Sequence, residues 1–173
     1  MHEPKGAHAS PGQAQWPALA HWPSRTWDSL LERALYQAEK LKDAESRAPE
    51  KLMVVRNAAD IDRLIERRGG GSSPVGGLLA IEGAHPLEGK IENIGTLYDA
   101  GYRMMGITHF FDNELGGSLH GLSGEGLTDF GREAVREMER RKIIIDLAHA
   151  SPAVVRDTLD MVKRPVVVSH TGL

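Results

Sequence analysis

The 173-residue sequence has no cysteine. Disulfides and thiolate-held zinc are therefore excluded, and any metal must rest on imidazole and carboxylate groups. Aromatic residues are scarce: three each of Phe, Tyr and Trp. The three Trp fall at positions 16, 22 and 27, ahead of the regular part of the chain, where they read as packing anchors. Charge of one sign is also lacking. Lys and Arg number 21 against 24 Asp and Glu, for a net charge of −3, with no basic stripe. A nucleic-acid partner is not expected from this balance. No run approaches the ~18 apolar residues of a membrane span, and Met1–Ala20 lacks the apolar centre of a secretory signal. The expectation is a chain with no membrane partner and a cytoplasmic location.

What is present is ordered from the third decade onward. Residues 1–24 have no periodicity and are predicted to form an irregular arm. His2, His8 and His21 in this arm have no acidic or histidine partner at ligand spacing and read as surface residues. From Trp27 to about Ala48, Leu30, Leu31, Ala34, Leu35 and Ala38 recur at helical spacing. Leu52–Val55 is a short extended run. Asn57 then caps a helix to Arg67, with Asp60 at its third position and Ile61, Leu64 and Ile65 as its apolar face. Gly69–Gly77 reads as a flexible connection into a strand. This divides the chain into an arm plus helix over 1–50 and an alternating region over 51–173.

In that region strands alternate with amphipathic helices. The predicted strands are Gly77–Glu82, Arg103–His109, Lys142–His149 and Val166–His170. Between them lie helices over Glu88–Ala100, from Thr128 to Arg141, and from Ser151, with Pro152 at its first position, to just before Pro165. Val154, Val155, Leu159 and Val162 form the inward face of the last helix. Strands apolar on both faces with helical crossovers indicate a parallel sheet. An open doubly wound sheet and a closed (β/α)₈ barrel both fit, and both gather functional groups at the carboxyl ends of the strands.

The polar residues fall at those ends. Each strand is apolar until it closes on a metal-competent or proton-active residue: Glu82, His109, His149 or His170. By period-two alternation His149 shares a face with Leu147, Ile145 and Ile143, and His170 with Val168 and Val166. With strands ~5 Å apart, four such residues can converge on one or two divalent ions. A paired metal site lowers the pKa of a bound water and polarises a carbonyl, and a spare imidazole can donate to the oxyanion that develops. Asp146 has the opposite parity and is expected to face the helices or to orient a neighbour. Ser169–His170 lacks a nucleophile elbow, and Gly69–Gly71 lacks the Lys-Ser/Thr of a phosphate loop. Gly121–Gly126 (GLSGEG) could cradle a phosphate, but a loop entering a capped helix is the simpler account.

Four longer segments carry a resemblance. Ala80–Leu87 (AIEGAHPL), Leu97–Asn113 (LYDAGYRMMGITHFFDN), Gly126–Ser151 (GLTDFGREAVREMERRKIIIDLAHAS) and Arg164–Gly172 (RPVVVSHTG) together resemble the membrane dipeptidase family of zinc dipeptidases, in its order and spacing over roughly 120 residues. Asp112–Gly121 is similar to the bacterial branch. The resemblance implies a (β/α)₈ TIM barrel, of which about four βα units are present, and a two-zinc site that hydrolyses dipeptides. It implies Glu82 as the carboxylate bridging the metals, His149 and His170 as ligands of one zinc, and His109 as the group that contacts substrate and stabilises the tetrahedral intermediate. It leaves a homodimer open. The family's His-x-Asp pair for the other zinc has no match here, since His2-Glu3-Pro4 and His21-Trp22-Pro23 do not fit it. A later catalytic Asp and a substrate-gripping Arg would lie past Leu173. The expectation is a partial copy with little activity of its own. The alternatives are a non-catalytic module that binds a partner through an exposed sheet edge, or another barrel amidohydrolase.

Overall fold

A computed structural model describes residues 20–71 and 73–171. The readings made for residues 1–19, including His2, His8 and Trp16, lie outside these. After a 3-10 turn at Ser24–Thr26, helix α1 (Leu30–Arg47) starts on Ser29, whose side chain accepts from the amide of Glu32. Glu88 reaches the same helix end. Its Oε1 accepts from the Ser29 hydroxyl at 2.9 Å and from the amides of Leu30 and Leu31 at 2.7 and 3.1 Å. A carboxylate at a helix N-terminus satisfies donors that the helix cannot. Ala34 and Ala38 of α1 are buried in the same core as the strands. The Tyr102 hydroxyl donates to Ala34 O at 2.7 Å, and burial pushes its pKa up to about 12.

Strand β1 (Leu52–Val54) leads to helix α2 (Ala58–Gly69), which opens with the expected capping box of Asn57 and Asp60. Strand β2 (Val75–Gly77) pairs parallel to β1, and β3 (Leu79–Ile81) belongs to a second sheet. The predicted strand Gly77–Glu82 is thus broken at Leu78. Gly76 is one reason α2 can sit so low: a Cβ there would come within 2.5 Å of the Leu64 side chain. Leu64 covers this glycine, but Ile61 and Ile65 are exposed. A two-stranded sheet is too narrow to cover the whole apolar stripe expected of α2.

The second sheet has the order β3-β4-β5, all parallel, with β4 at Tyr102–Gly106 and β5 at Ile144–Asp146. Helix α3 (Glu92–Ala100) follows a 3-10 turn at His85–Leu87, so it begins later than the predicted Glu88. Glu88 cannot start it, because its backbone is left-handed (φ 49°) and its carboxylate is spent on α1. Helix α4 (Asp129–Arg141) and helix α5 (Pro152–Met161) start on Thr128 and Ser151, as their sequences predict. On α5, Val154 is buried but Leu159 is 52% exposed. Five residues along a helix turns a side chain by about 140° from its predecessor. The predicted fourth strand is reduced to one parallel bridge, Val167 to Asp146. It ends there because the next ladder donor, the amide of Ser169, goes to the Asp146 side chain.

Alternation in the sheet decides what faces the site. Ile81, Met105 and Ile145 pack into the helix-covered core. Ala80, Glu82, Met104 and Asp146 line the other face, an open cleft of about 420 Å³ that also holds Ser169 and His170. No helix among the described residues is long and apolar enough to cross a membrane.

Candidate metal centre

Glu82 is the first residue past β3. Gly83 then turns the chain at φ 81°, a left-handed conformation suited to glycine. A Cβ at Gly83 would lie 2.8 Å from His85 Nδ1 and 3.0 Å from His109 Cβ. The glycine therefore lets the backbone pass close to two imidazoles.

His109, His149 and His170 all stand beyond the strand ends rather than on them. His149 reaches the site by a turn, not by parity. Ile143, Ile145 and Leu147, its predicted face-mates, are buried in the helix-covered core. A turn closed by Ala150 N to Leu147 O places His149 at φ 63°, which redirects its side chain to the cleft. A non-glycine residue in this region costs on the order of 1 kcal/mol. The surroundings hold it there: His149 O accepts from the Thr108 hydroxyl at 3.0 Å and from the amide of Leu119 at 2.7 Å.

Three donor atoms converge. Glu82 Oε1 lies 3.1 Å from His149 Nε2 and 3.2 Å from His170 Nε2, and the two Nε2 atoms are 2.8 Å apart. Among the described residues these three form a group able to hold a metal ion. Donors bound to one zinc at ~2.0–2.1 Å sit roughly 3.3 Å apart at tetrahedral angles, close to what is seen. Two imidazole nitrogens and a carboxylate oxygen suit zinc and its neighbours. His109 stands beside this group with Nε2 3.4 Å from Glu82 Oε1. Its pKa lies below the ordinary histidine value, chiefly through burial, with Glu82 pulling the other way and the nearby histidines adding to the depression.

Two histidines here were not singled out from sequence. His120 lies 5.5 Å ring to ring from His149 and 5.6 Å from Phe110, and His85 and His109 both flank Gly83. Both follow the carboxyl ends of strands, His85 in a 3-10 turn and His120 in a loop, which is the one signal that could have flagged them.

The loop that carries His120 is held by Asp112. Its Oδ1 accepts from the amide of Ser118 at 2.7 Å, and its Oδ2 from the amides of Leu122 and Ser123 at 3.0 Å each. The amides at the start of GLSGEG are thus taken by the chain's own carboxylate, not left for a phosphate. Burial pushes the Asp112 carboxyl up, but the three amides together outweigh this and hold its pKa below the ordinary 3.8. A depressed acid contributes stability that is present above its unfolded value and lost as pH falls through its folded one. Asp112→Asn turns one acceptor into a donor facing an amide, and is expected to cost about 1–2 kcal/mol at neutral pH. Urea unfolding should show this gap closing as the wild type protonates below pH 3.8; a gap that persists to lower pH would contradict it.

A family model described as membrane dipeptidase, peptidase family M19, matches residues 8–173. Among solved structures, dipeptidase AC, a metallopeptidase of the same family, is 27% identical with a TM-score of 0.65, over 79% of this chain and 41% of that one. A metallopeptidase from Rhodobacter sphaeroides, liganded with a phosphinate mimic of the dipeptide L-Ala-D-Ala, is 26% identical with a TM-score of 0.63, over 78% and 38%. An amidohydrolase from Pseudomonas aeruginosa is 26% identical with a TM-score of 0.68, over 77% and 39%. The chain therefore spans about two fifths of the length of these relatives. The fold is a partial version of their barrel-like α/β architecture, and the chain belongs to the membrane dipeptidase family.

Proposed function

We propose that this chain supplies part of the active site of a zinc-dependent dipeptidase. The observation that carries the reading is the convergence of Glu82 Oε1 with the Nε2 atoms of His149 and His170 within about 3 Å of one another. Zinc held there would polarise the scissile carbonyl and lower the pKa of water. Glu82, His149 and His170 would hold the ion. In a two-ion site Glu82 would be the carboxylate shared with the second ion. His109, with Nε2 3.4 Å from Glu82 Oε1, would donate to the substrate oxygen as charge develops on it. The family match and the dipeptide-mimic complex of the Rhodobacter relative support a dipeptide as substrate.

The 173 residues alone should turn dipeptides over slowly or not at all. The β3-β4-β5 sheet is open, and the Glu82 and His170 side chains are each 52% exposed. Solvent at this level weakens electrostatic stabilisation of a developing charge. Zinc titration followed by thermal melting tests the site. At a hundredfold excess over Kd the gain is ~2.7 kcal/mol, or roughly 5–10 °C for a chain of this size. No shift at saturating zinc would remove the metal-site reading. Steady zinc-dependent hydrolysis of a simple dipeptide by the isolated chain, lost in His149→Ala, would instead overturn the expected inactivity.

A further inference from the structure

The proposed ligand His170 is held from behind by a chain of hydrogen bonds whose direction is fixed by chemistry. Ser169 Oγ lies 2.9 Å from His170 Nδ1 and donates to Asp146 Oδ2 at 2.5 Å. Asp146 is 4% exposed, and its Oδ1 already accepts the amides of Ala148 and Ser169, each at 3.0 Å. A carboxylate can only accept, and a serine has a single proton. That proton goes to Asp146, so Ser169 can offer only a lone pair to His170. Nδ1 of His170 must then carry the hydrogen, which leaves Nε2 bare and aimed at Glu82 and His149.

Resting on the metal site proposed above, we infer that Asp146 and Ser169 are positioning residues that lock His170 in the Nδ1–H tautomer and so make its Nε2 a ligand. Neither residue touches the metal position. Outer partners of this kind fix ring orientation and tautomer, and their loss costs ~10–100-fold in metal affinity. Asp146 thereby has a specific task. It is a buried carboxylate at the end of β5 whose three hydrogen bonds all serve the Ser169 and Ala148 backbone or the Ser169 hydroxyl.

Asp146→Asn makes the decisive variant because its shape is unchanged. The carbonyl oxygen of the new side chain must stay on the two backbone amides, since an NH₂ there would meet two donors. The NH₂ group therefore points at Ser169 Oγ and donates. The Ser169 proton is displaced toward His170 Nδ1, and the ring is driven to the Nε2–H tautomer, which cannot bind metal until it rearranges. Ser169→Ala removes the lock without disturbing the backbone bonds to Asp146, and Ser169→Thr keeps the hydroxyl.

The test uses the full 173-residue chain. Nitrogen-15 spectra of the histidine rings at mildly alkaline pH, without metal, report which nitrogen of His170 is protonated. Zinc affinity is measured on the same samples by competition with a chelating dye. The wild type and Ser169→Thr should show Nδ1–H. Asp146→Asn should show Nε2–H and bind zinc about 10–100-fold more weakly. Ser169→Ala should show a mixture and an intermediate loss. An unchanged His170 pattern in both Asp146→Asn and Ser169→Ala, with zinc affinity within about twofold of wild type, would overturn the inference. If Asp146→Asn fails to fold, Ser169→Ala against Ser169→Thr decides it on the same two readouts. A wild type that shows Nδ1–H but binds no zinc would refute the metal site and leave the tautomer lock standing.

Discussion

Gly131→Ala is expected to destabilise the chain by on the order of 3 kcal/mol. A Cβ at Gly131 would sit 2.0 Å from Leu115 O, a backbone atom. Something must move by about an ångström, and neither side is free to. Gly131 N donates to Thr128 Oγ1 at 2.9 Å, the cap of α4. Leu115 O accepts from Thr128 N at 2.9 Å, and Leu115 is fully buried. Withdrawing the helix breaks the cap, which is worth ~1 kcal/mol. Withdrawing Leu115 drags a core residue and the loop that carries His120. Alanine gains only ~1 kcal/mol of helix propensity over glycine in return. Urea unfolding should show a midpoint lowered by roughly 1–2 M at a typical slope. Gly69→Ala is the control. No atom lies within 4 Å of a Cβ there, so it should be neutral or slightly stabilising. A Gly131→Ala midpoint equal to that of Gly69→Ala would show that the loop yields without cost.

The success and the errors of the sequence reading have separate physical causes. Capping by Asn57, Thr128 and Ser151 was legible because it depends on residues three apart. The grouping of Glu82, His149 and His170 was legible because each follows an apolar strand segment, and parallel strands bring their ends together. The route by which His149 arrives was not. Its strand parity points it into the core, and the left-handed turn that reverses this depends on hydrogen bonds from Thr108 and Leu119, far away in sequence. Glu88 failed as a helix start for the same kind of reason, since its carboxylate belongs to a helix that begins 58 residues earlier. His120 was hidden because its loop has no periodicity and is folded onto the site by Asp112 and by a bridge from Ser118 to Ala150. Asp146 was the case in between. Sequence allowed that it orients a neighbour, and the structure names the neighbour as Ser169.

The second large effect concerns Glu82→Gln, which should leave the metal-free fold intact and raise the Kd for zinc by about 100-fold or more, or at least ~2.7 kcal/mol. Glu82 supplies the only charge among the three converging donors. Glutamine keeps the shape and one weak acceptor but removes the attraction to a dication. Because the Glu82 side chain is half exposed, its loss should change metal-free stability by no more than about 0.5 kcal/mol. The histidines are poorer probes. His149 packs against the rings of His109, Phe110, His120 and His170 and holds a strained backbone, so replacing it mixes folding with binding. The loss of Glu82 should be visible in a melting experiment. At zinc a thousandfold above the wild-type Kd, binding stabilises the wild type by ~4.1 kcal/mol. With Kd raised a hundredfold, the same zinc stabilises the variant by only ~1.4 kcal/mol. Two chains that melt together without zinc should therefore separate by roughly 5–10 °C with it. If they rise in step, Glu82 is not a ligand, and its nearness to three imidazoles is an ordinary surface hydrogen-bonded cluster.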